Sequence, residues 1–261
     1  MRGYPERAQQ RLKNGVIMST ATIQDGGEGH NGGSSPAVQG RVLEAVGVAI
    51  AAGELAPGTR LTLEGLQHEY GISRTVARDT MKVLESINLV YSRRRVGIVV
   101  QEPSLWNVFD PKLVRWRLAS DRRDLQYSSL TELRIAVEPI AAAGAARRAS
   151  AAERARLVSL AADLRRLGEA GDLQGFLAAD IAFHQLLLRS CGNEMFRALE
   201  GMVAEVLTSR TRQGLMPFKP RSEALEAHED VAAAVAGGDT AEAERAMHHI
   251  LDEVREAMGL H

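Results

Sequence analysis

A single cysteine, Cys191, is all the chain contains, so no internal disulfide framework can brace it and a reducing cytoplasm is the expected setting. No apolar run approaches the roughly 18 residues that a membrane-spanning helix needs, so no membrane partner is expected. The first 35 residues lack the hydrophobic stretch of a secretory signal. Aromatic residues are scarce at 4%, and the core must be built largely from Ala, Leu, Val and Ile, a helix-favouring stock. Neither charge sign dominates, since the net charge is −1 over 261 residues. Nucleic-acid binding therefore has to come from local clusters of basic residues. That length suits two modest domains, each able to bury a core.

The chain divides by its punctuation. Residues 1–35 crowd Gly26, Gly27, Gly29, Gly32, Gly33, Ser34 and Ser35 without apolar periodicity, and are expected to be a disordered extension. From residue 36 the pattern turns helical: Val42, Leu43, Val46 and Ile50 share one face, and Gly53 follows as a stop. The turn Ala56-Pro57-Gly58 precedes a short helix over 63–70, which Gly71 ends. Ser73 is then a natural N-cap. Val76, Ala77, Thr80, Met81, Leu84 and Ile87 form the apolar stripe of the next helix. Leu89-Val90-Tyr91 and Gly97-Ile98-Val99-Val100 read as strands joined by Arg93-Arg94-Arg95. Helix, helix, turn, helix and a two-stranded wing over 36–102 predict a winged helix-turn-helix DNA-binding domain. Pro103 opens a linker expected at 103–110.

Residues 111–261 read as helix throughout, with helices expected near 111–119, 127–149, 151–169, 172–189, 194–213, 221–236 and 239–258. Short breaks between them predict an antiparallel bundle, so the fold class is mainly α.

Helices that read DNA present their N-terminal residues to the major groove. Here those residues are Ser73, Arg74, Thr75 and Arg78. Arg74 and Arg78 stand one turn apart, opposite the apolar stripe, and can fork onto guanine or grip phosphate. Arg93, Arg94 and Arg95 at the wing tip would reach the backbone or minor groove. In the second half, Asp180 and His184 lie four apart on one helix face, where a carboxylate and an imidazole can share a divalent metal.

The run Gly53 to Leu61 with its Pro57-Gly58, then Gly71-Ile72-Ser73-Arg74-Thr75, Arg78, Leu84 and Gly97, resembles the DNA-binding domain of GntR-type transcription regulators over about residues 38–101. Leu63-Glu64 stands where that family usually has Glu-Arg, Val76 where a proline is frequent, and Arg95 where the wing usually has glycine. Residues 128–250 resemble the FCD effector domain of the FadR-like branch. The marks are Glu132-Leu133-Arg134, Glu138-Pro139, Asp180 with His184, Asn193, His228 and Gly238-Asp239. Trp106-Asn107-Val108-Phe109-Asp110-Pro111, with Trp116 after it, resembles the sugar-acid-responsive members of that branch, the galactonate and gluconate operon repressors.

The resemblance implies a divalent metal, usually zinc, held by Asp180, His184 and His228, with Arg134 clamping the carboxylate of a small organic or sugar acid. The register of the family's last histidine falls on Ile250, so three protein ligands are expected. His249 becomes a fourth only if the last helix is rotated. The implied protein is a cytoplasmic homodimeric repressor that binds a palindromic operator and is released by its effector. Two other readings stay open on the residues alone. One is a metal-dependent enzyme acting on a small acid, which would leave the DNA-binding half without purpose. The other is a constitutive DNA-binding dimer. A regulator, not an enzyme, is the expectation.

Overall fold

A computed structural model describes residues 36–216 and 219–257, and the expected extension at 1–35 lies outside them. The chain forms two compact units that divide between Asn107 and Val108.

In the first unit, α1 (Pro36–Ala52), α2 (Leu63–Tyr70) and α3 (Arg74–Ser86) precede a small antiparallel sheet. Its strands are β1 (Arg60–Leu61), β2 (Val90–Arg93) and β3 (Gly97–Val100), in the order β1-β3-β2. The expected wing of two strands therefore gains a third. β1 pairs Arg60 with Val99 and Leu61 with Ile98, a contact too short to leave a periodic signal in the sequence. Val42, Val46 and Ile50 of α1 and Val76, Met81 and Leu84 of α3 supply the core. Thr62 caps α2 by accepting from the Gly65 amide, and Ser73 caps α3 by accepting from the Val76 amide. Between them Gly71 adopts φ 61°, the left-handed conformation that turns the chain from α2 into α3.

The segment expected as a linker is partly folded onto this unit. Pro103–Leu105 form a 3₁₀ turn, the Trp106 indole donates to the Gln101 carbonyl, and the Asn107 amide bonds the Ile87 carbonyl.

The second unit is all helix: α4 (Pro111–Leu118), α5 (Arg123–Arg148), α6 (Ala151–Ala170), α7 (Leu173–Ser190), α8 (Glu194–Arg197), α9 (Glu200–Arg212), α10 (Ser222–Gly237) and α11 (Thr240–Ala257). The single helix expected at 194–213 is two, α8 and α9. The break falls at Ala198-Leu199, without the glycine or proline that would announce it. At the start of α9, a Cβ on Gly201 would come within 2.8 Å of the Pro111 ring, so glycine lets α9 approach α4 closely.

Two apolar clusters fill the bundle. One joins α5, α6, α7, α10 and α11 through Ala145, Leu157, Leu164, Phe183, Leu187, Val231, Met247 and Leu251. The other joins α4, α5, α7 and α9 through Val114, Tyr127, Leu188, Val203 and Leu207. Ser150 and Glu153 close a reciprocal capping box on α6. One turn on, Arg154 donates to the Ala146 and Ala149 carbonyls at the end of α5 and to the Val235 and Ala236 carbonyls at the end of α10.

Placing a β-branched side chain at Gly71 forces it into the left-handed region. Gly71→Val should cost about 1–2 kcal/mol, read as a lower urea midpoint for the full chain by circular dichroism.

Candidate functional site

The DNA-reading candidates all lie on the first unit. Ser73, Arg74, Thr75 and Arg78 are exposed along the first turns of α3, while Val76, Ala77 and Thr80 face the core. The Ser73 hydroxyl oxygen is engaged by the Val76 amide, 3.3 Å away. Arg74 donates through Nη1 to Glu64 Oε1 at 3.2 Å. Arg93, Arg94 and Arg95 are exposed at the β2–β3 turn, which a bond from the Val96 amide to the Arg93 carbonyl closes. Arg95 sits at φ 64°, so the position where glycine is usual does adopt the conformation that glycine favours. Gly97, at φ 102°, has the Leu61 carbonyl oxygen 3.3 Å from where a Cβ would stand, and only glycine fits without strain.

The second site is a cavity of about 420 Å³ in the helical unit, lined among others by Arg134 of α5, Asp180 and His184 of α7, Arg210 of α9 and His228 of α10. All five are buried, which demands that their charges be met. Asp180 Oδ1 lies 3.3 Å from His184 Nε2 and 3.4 Å from His228 Nε2. Neither contact has hydrogen-bond geometry, since Asp180 Oδ1 and His228 Nε2 have no hydrogen-bond partner. One donor atom from each of the three residues lies within 4.8 Å of the others.

Of the opposite ring nitrogens, that of His228 is hydrogen-bonded, while that of His184 stands in ion-pair range of Glu138 without hydrogen-bond geometry. His184 Nδ1 is 2.7 Å from Glu138 Oε2, and His228 Nδ1 is 2.6 Å from the Ala224 carbonyl oxygen. With Nδ1 protonated toward the Ala224 carbonyl, the Nε2 lone pair of His228 faces Asp180. Two imidazole nitrogens and a carboxylate oxygen, converging from three buried side chains, fit a borderline divalent ion such as zinc. Phe183, a member of the apolar core, sets its ring edge-on to both imidazoles, at 5.8 and 5.3 Å between centroids.

Charge follows the same geometry. Burial alone would lift the Asp180 carboxyl, but the two imidazoles outweigh it and hold it well below its usual range. Burial would likewise raise Glu138, and Arg134 and His184 outweigh it to hold it low. Burial also disfavours the charged form of His184, yet Glu138 and Asp180 outweigh that and raise it.

The two buried arginines differ. Arg134 was expected to clamp a ligand carboxylate, but it already makes a two-pronged pair with Glu138, Nε to Oε1 at 2.6 Å and Nη2 to Oε2 at 3.2 Å. Its fork is occupied within α5. Arg210 has no partner for its buried Nε, and burial and the nearby Arg134 lower its pKa to about 10. Arg210 is therefore a buried cation of the lining with an unpartnered nitrogen.

His249 does not join the cluster. It is exposed, because the buried stripe of α11 runs through Ala243, Ala246, Met247, Ile250 and Leu251 and leaves His249 on the far side. Ile250 faces the cavity in its place. Arg210 and Glu138 were not assigned roles from the sequence. Arg210 had one usable signal, since it continues the apolar register of Val203, Val206 and Leu207, where a charge implies an interior task.

Fold and site together define a winged-helix DNA-binding protein joined to a helical domain with a charged ligand cavity. Residues 39–100 match the bacterial regulatory proteins of the gntR family, and residues 129–253 match the FCD domain. These matches cover most of the chain, which belongs to the gntR family and carries an FCD domain; it is a DNA-binding transcription regulator. It is 29% identical over 160 residues to the galactonate operon transcriptional repressor of Escherichia coli (strain K12), covering 61% of this chain and 69% of that protein. It is 27% identical over 212 residues to the HTH-type transcriptional regulator LutR of Bacillus subtilis (strain 168), covering 79% and 94%. Among solved structures, Lar, which controls the expression of the Listeria monocytogenes agr system, superposes with a TM-score of 0.55 at 17% identity, over 85% of this chain and 96% of that one. That likeness supports the fold. The family and these relatives are regulators rather than enzymes.

The strained wing residue yields a measurable consequence. Arg95→Gly releases a left-handed arginine and should stabilise the protein by about 1 kcal/mol, seen as a higher urea midpoint. A lower midpoint would show that the arginine side chain contributes more than its backbone costs.

Proposed function

We propose that this regulator represses a sugar-acid catabolic operon and is released from a palindromic operator when a small carboxylate enters the FCD cavity. The observation that carries the reading is one cavity in which three buried, convergent metal-type donors stand near a buried arginine with an unpartnered nitrogen. The likeness to a repressor of a galactonate operon supports the sugar-acid class and the repressing sign.

Asp180, His184 and His228 would hold a divalent ion, and zinc suits their donor set. When bound, the ion supplies a Lewis acid that attracts carboxylate and hydroxyl oxygens. Arg210 supplies the planar fork that pairs both oxygens of a carboxylate, the role the sequence reading gave to Arg134. Arg134 keeps Glu138 ionised, and Glu138 keeps His184 turned with Nε2 inward. Leu207, Phe176 and Ile250 add apolar surface to the lining, and Arg221 and Glu253 beside them offer further polar groups to a hydroxylated acid.

Effector binding acts on DNA affinity only through its differential affinity for two arrangements of the protein. The helices meeting at the cavity, α5, α7, α9 and α10, are the elements whose packing such a ligand biases. Two copies of α3 in a homodimer would meet half-sites one helical turn apart.

Thermal shift of the full chain with a panel of sugar acids, metal-loaded and chelated, tests the proposal. A ligand at 100 times its Kd should stabilise by roughly 2.7 kcal/mol, and this shift should vanish in Arg210→Ala while operator binding survives. If no acid shifts the melting temperature of the metal-loaded protein, the sensor reading fails. Metal affinity, measured by competition with a chromogenic chelator, should be nearly abolished in Asp180→Ala. It should fall roughly 10–100-fold in Glu138→Gln, which still fills the space but no longer orients His184 as strongly.

A further inference from the structure

Glu64 places a carboxylate beside the DNA-reading end of α3. It is the second residue of α2, and its Oε1 accepts from Arg74 Nη1 at 3.2 Å, with side-chain exposures of 69% and 61%. An exposed pair of this kind contributes little to folding. An acidic residue in the first turn of α2 also gains slightly from the helix dipole, but any position in that turn would serve. What distinguishes Glu64 is its neighbour, because Arg74 is the first residue of the helix whose N-terminal turns face the groove.

A negative charge at that surface weakens binding to every duplex alike, since phosphate attraction is the sequence-independent part of DNA affinity. It also removes freedom from the guanidinium. With one Nη engaged by Glu64, the remaining N–H groups of Arg74 are presented as a fixed fork. A fixed fork suits the paired O6 and N7 acceptors of guanine and suits a mobile phosphate oxygen less well. Repulsion of phosphate and restraint of the arginine act in the same direction, trading general affinity for discrimination.

We propose that Glu64 is a specificity-determining residue, which holds Arg74 for a guanine edge in the major groove and repels phosphate from it. The inference rests on the reading of α3 as the DNA-reading helix. Arg78, one turn further along the same face, forms no ion pair among the described residues, its neighbour Asp79 being paired with Lys82, and serves as the contrast.

The test uses the full chain and two duplexes: one enriched from a random library by the unaltered protein, and a shuffled duplex of the same composition. Affinities are measured by fluorescence anisotropy across a salt series. Glu64→Ala should bind the shuffled duplex more tightly and lose about fivefold or more of the ratio between the two, as expected when one bidentate base contact is loosened. Glu64→Gln, which keeps an acceptor for Arg74 without the charge, should bind both duplexes more tightly yet retain more of the ratio than the alanine variant. In Arg74→Ala the ratio should fall, and adding Glu64→Ala should lower it no further. The proposal is overturned if Glu64→Ala changes both affinities by the same factor, or leaves both unchanged, while Arg74→Ala still lowers the ratio. If Arg74→Ala itself leaves binding to the selected duplex untouched, the assignment of α3 fails, and that outcome is distinct from the first.

Discussion

A carboxylate removed from water has to be met by positive charge, and the helical half of this protein is organised around that requirement at Asp180. The side chain is buried on α7 with His184 one turn later and His228 of α10 across from it. His184 in turn leans on Glu138, and Glu138 on Arg134, both of α5. Every link crosses or runs along a helix that also carries apolar core, so the ionic chain and the hydrophobic packing fix each other's geometry. Removing one member leaves its neighbour buried and uncompensated, which costs far more than the pair gains over apolar substitutes.

The chain of partners ends in asymmetry. Beyond these ion-pair contacts stands Arg210, whose buried Nε has no hydrogen-bond partner and which forms no ion pair with the cluster. With Arg134 committed to Glu138, the Arg210 guanidinium is the buried cation of the lining that carries an unpartnered nitrogen.

Much of this was legible in the sequence because local signals and global fold agreed. The glycines and caps around residues 71–73 set the turn into α3, and period-3.6 stripes located the helices of the bundle. Asp180 and His184 shared a face by spacing alone, whereas His228 became a candidate only through resemblance to a known domain. Other features had no local mark. The α8–α9 break occurs among ordinary helix-forming residues, and β1 is two residues long. Arg134 and Arg210 are chemically alike in the sequence, and only the structure tells that Glu138 occupies the first and not the second. His249 was weighed for the cavity on proximity along the chain, but 100° per residue carried it to the outside.

Arg154 gives the bundle one mechanical property. By bonding the last carbonyls of α5 and α10 together, its guanidinium neutralises the negative poles of two helices that bring Glu138 and His228 to the cavity. Two rods pinned at one end by a shared rivet resist sliding past each other, and α11, packed against both, closes them into a three-helix clamp that presents Glu138 and His228 at a fixed spacing.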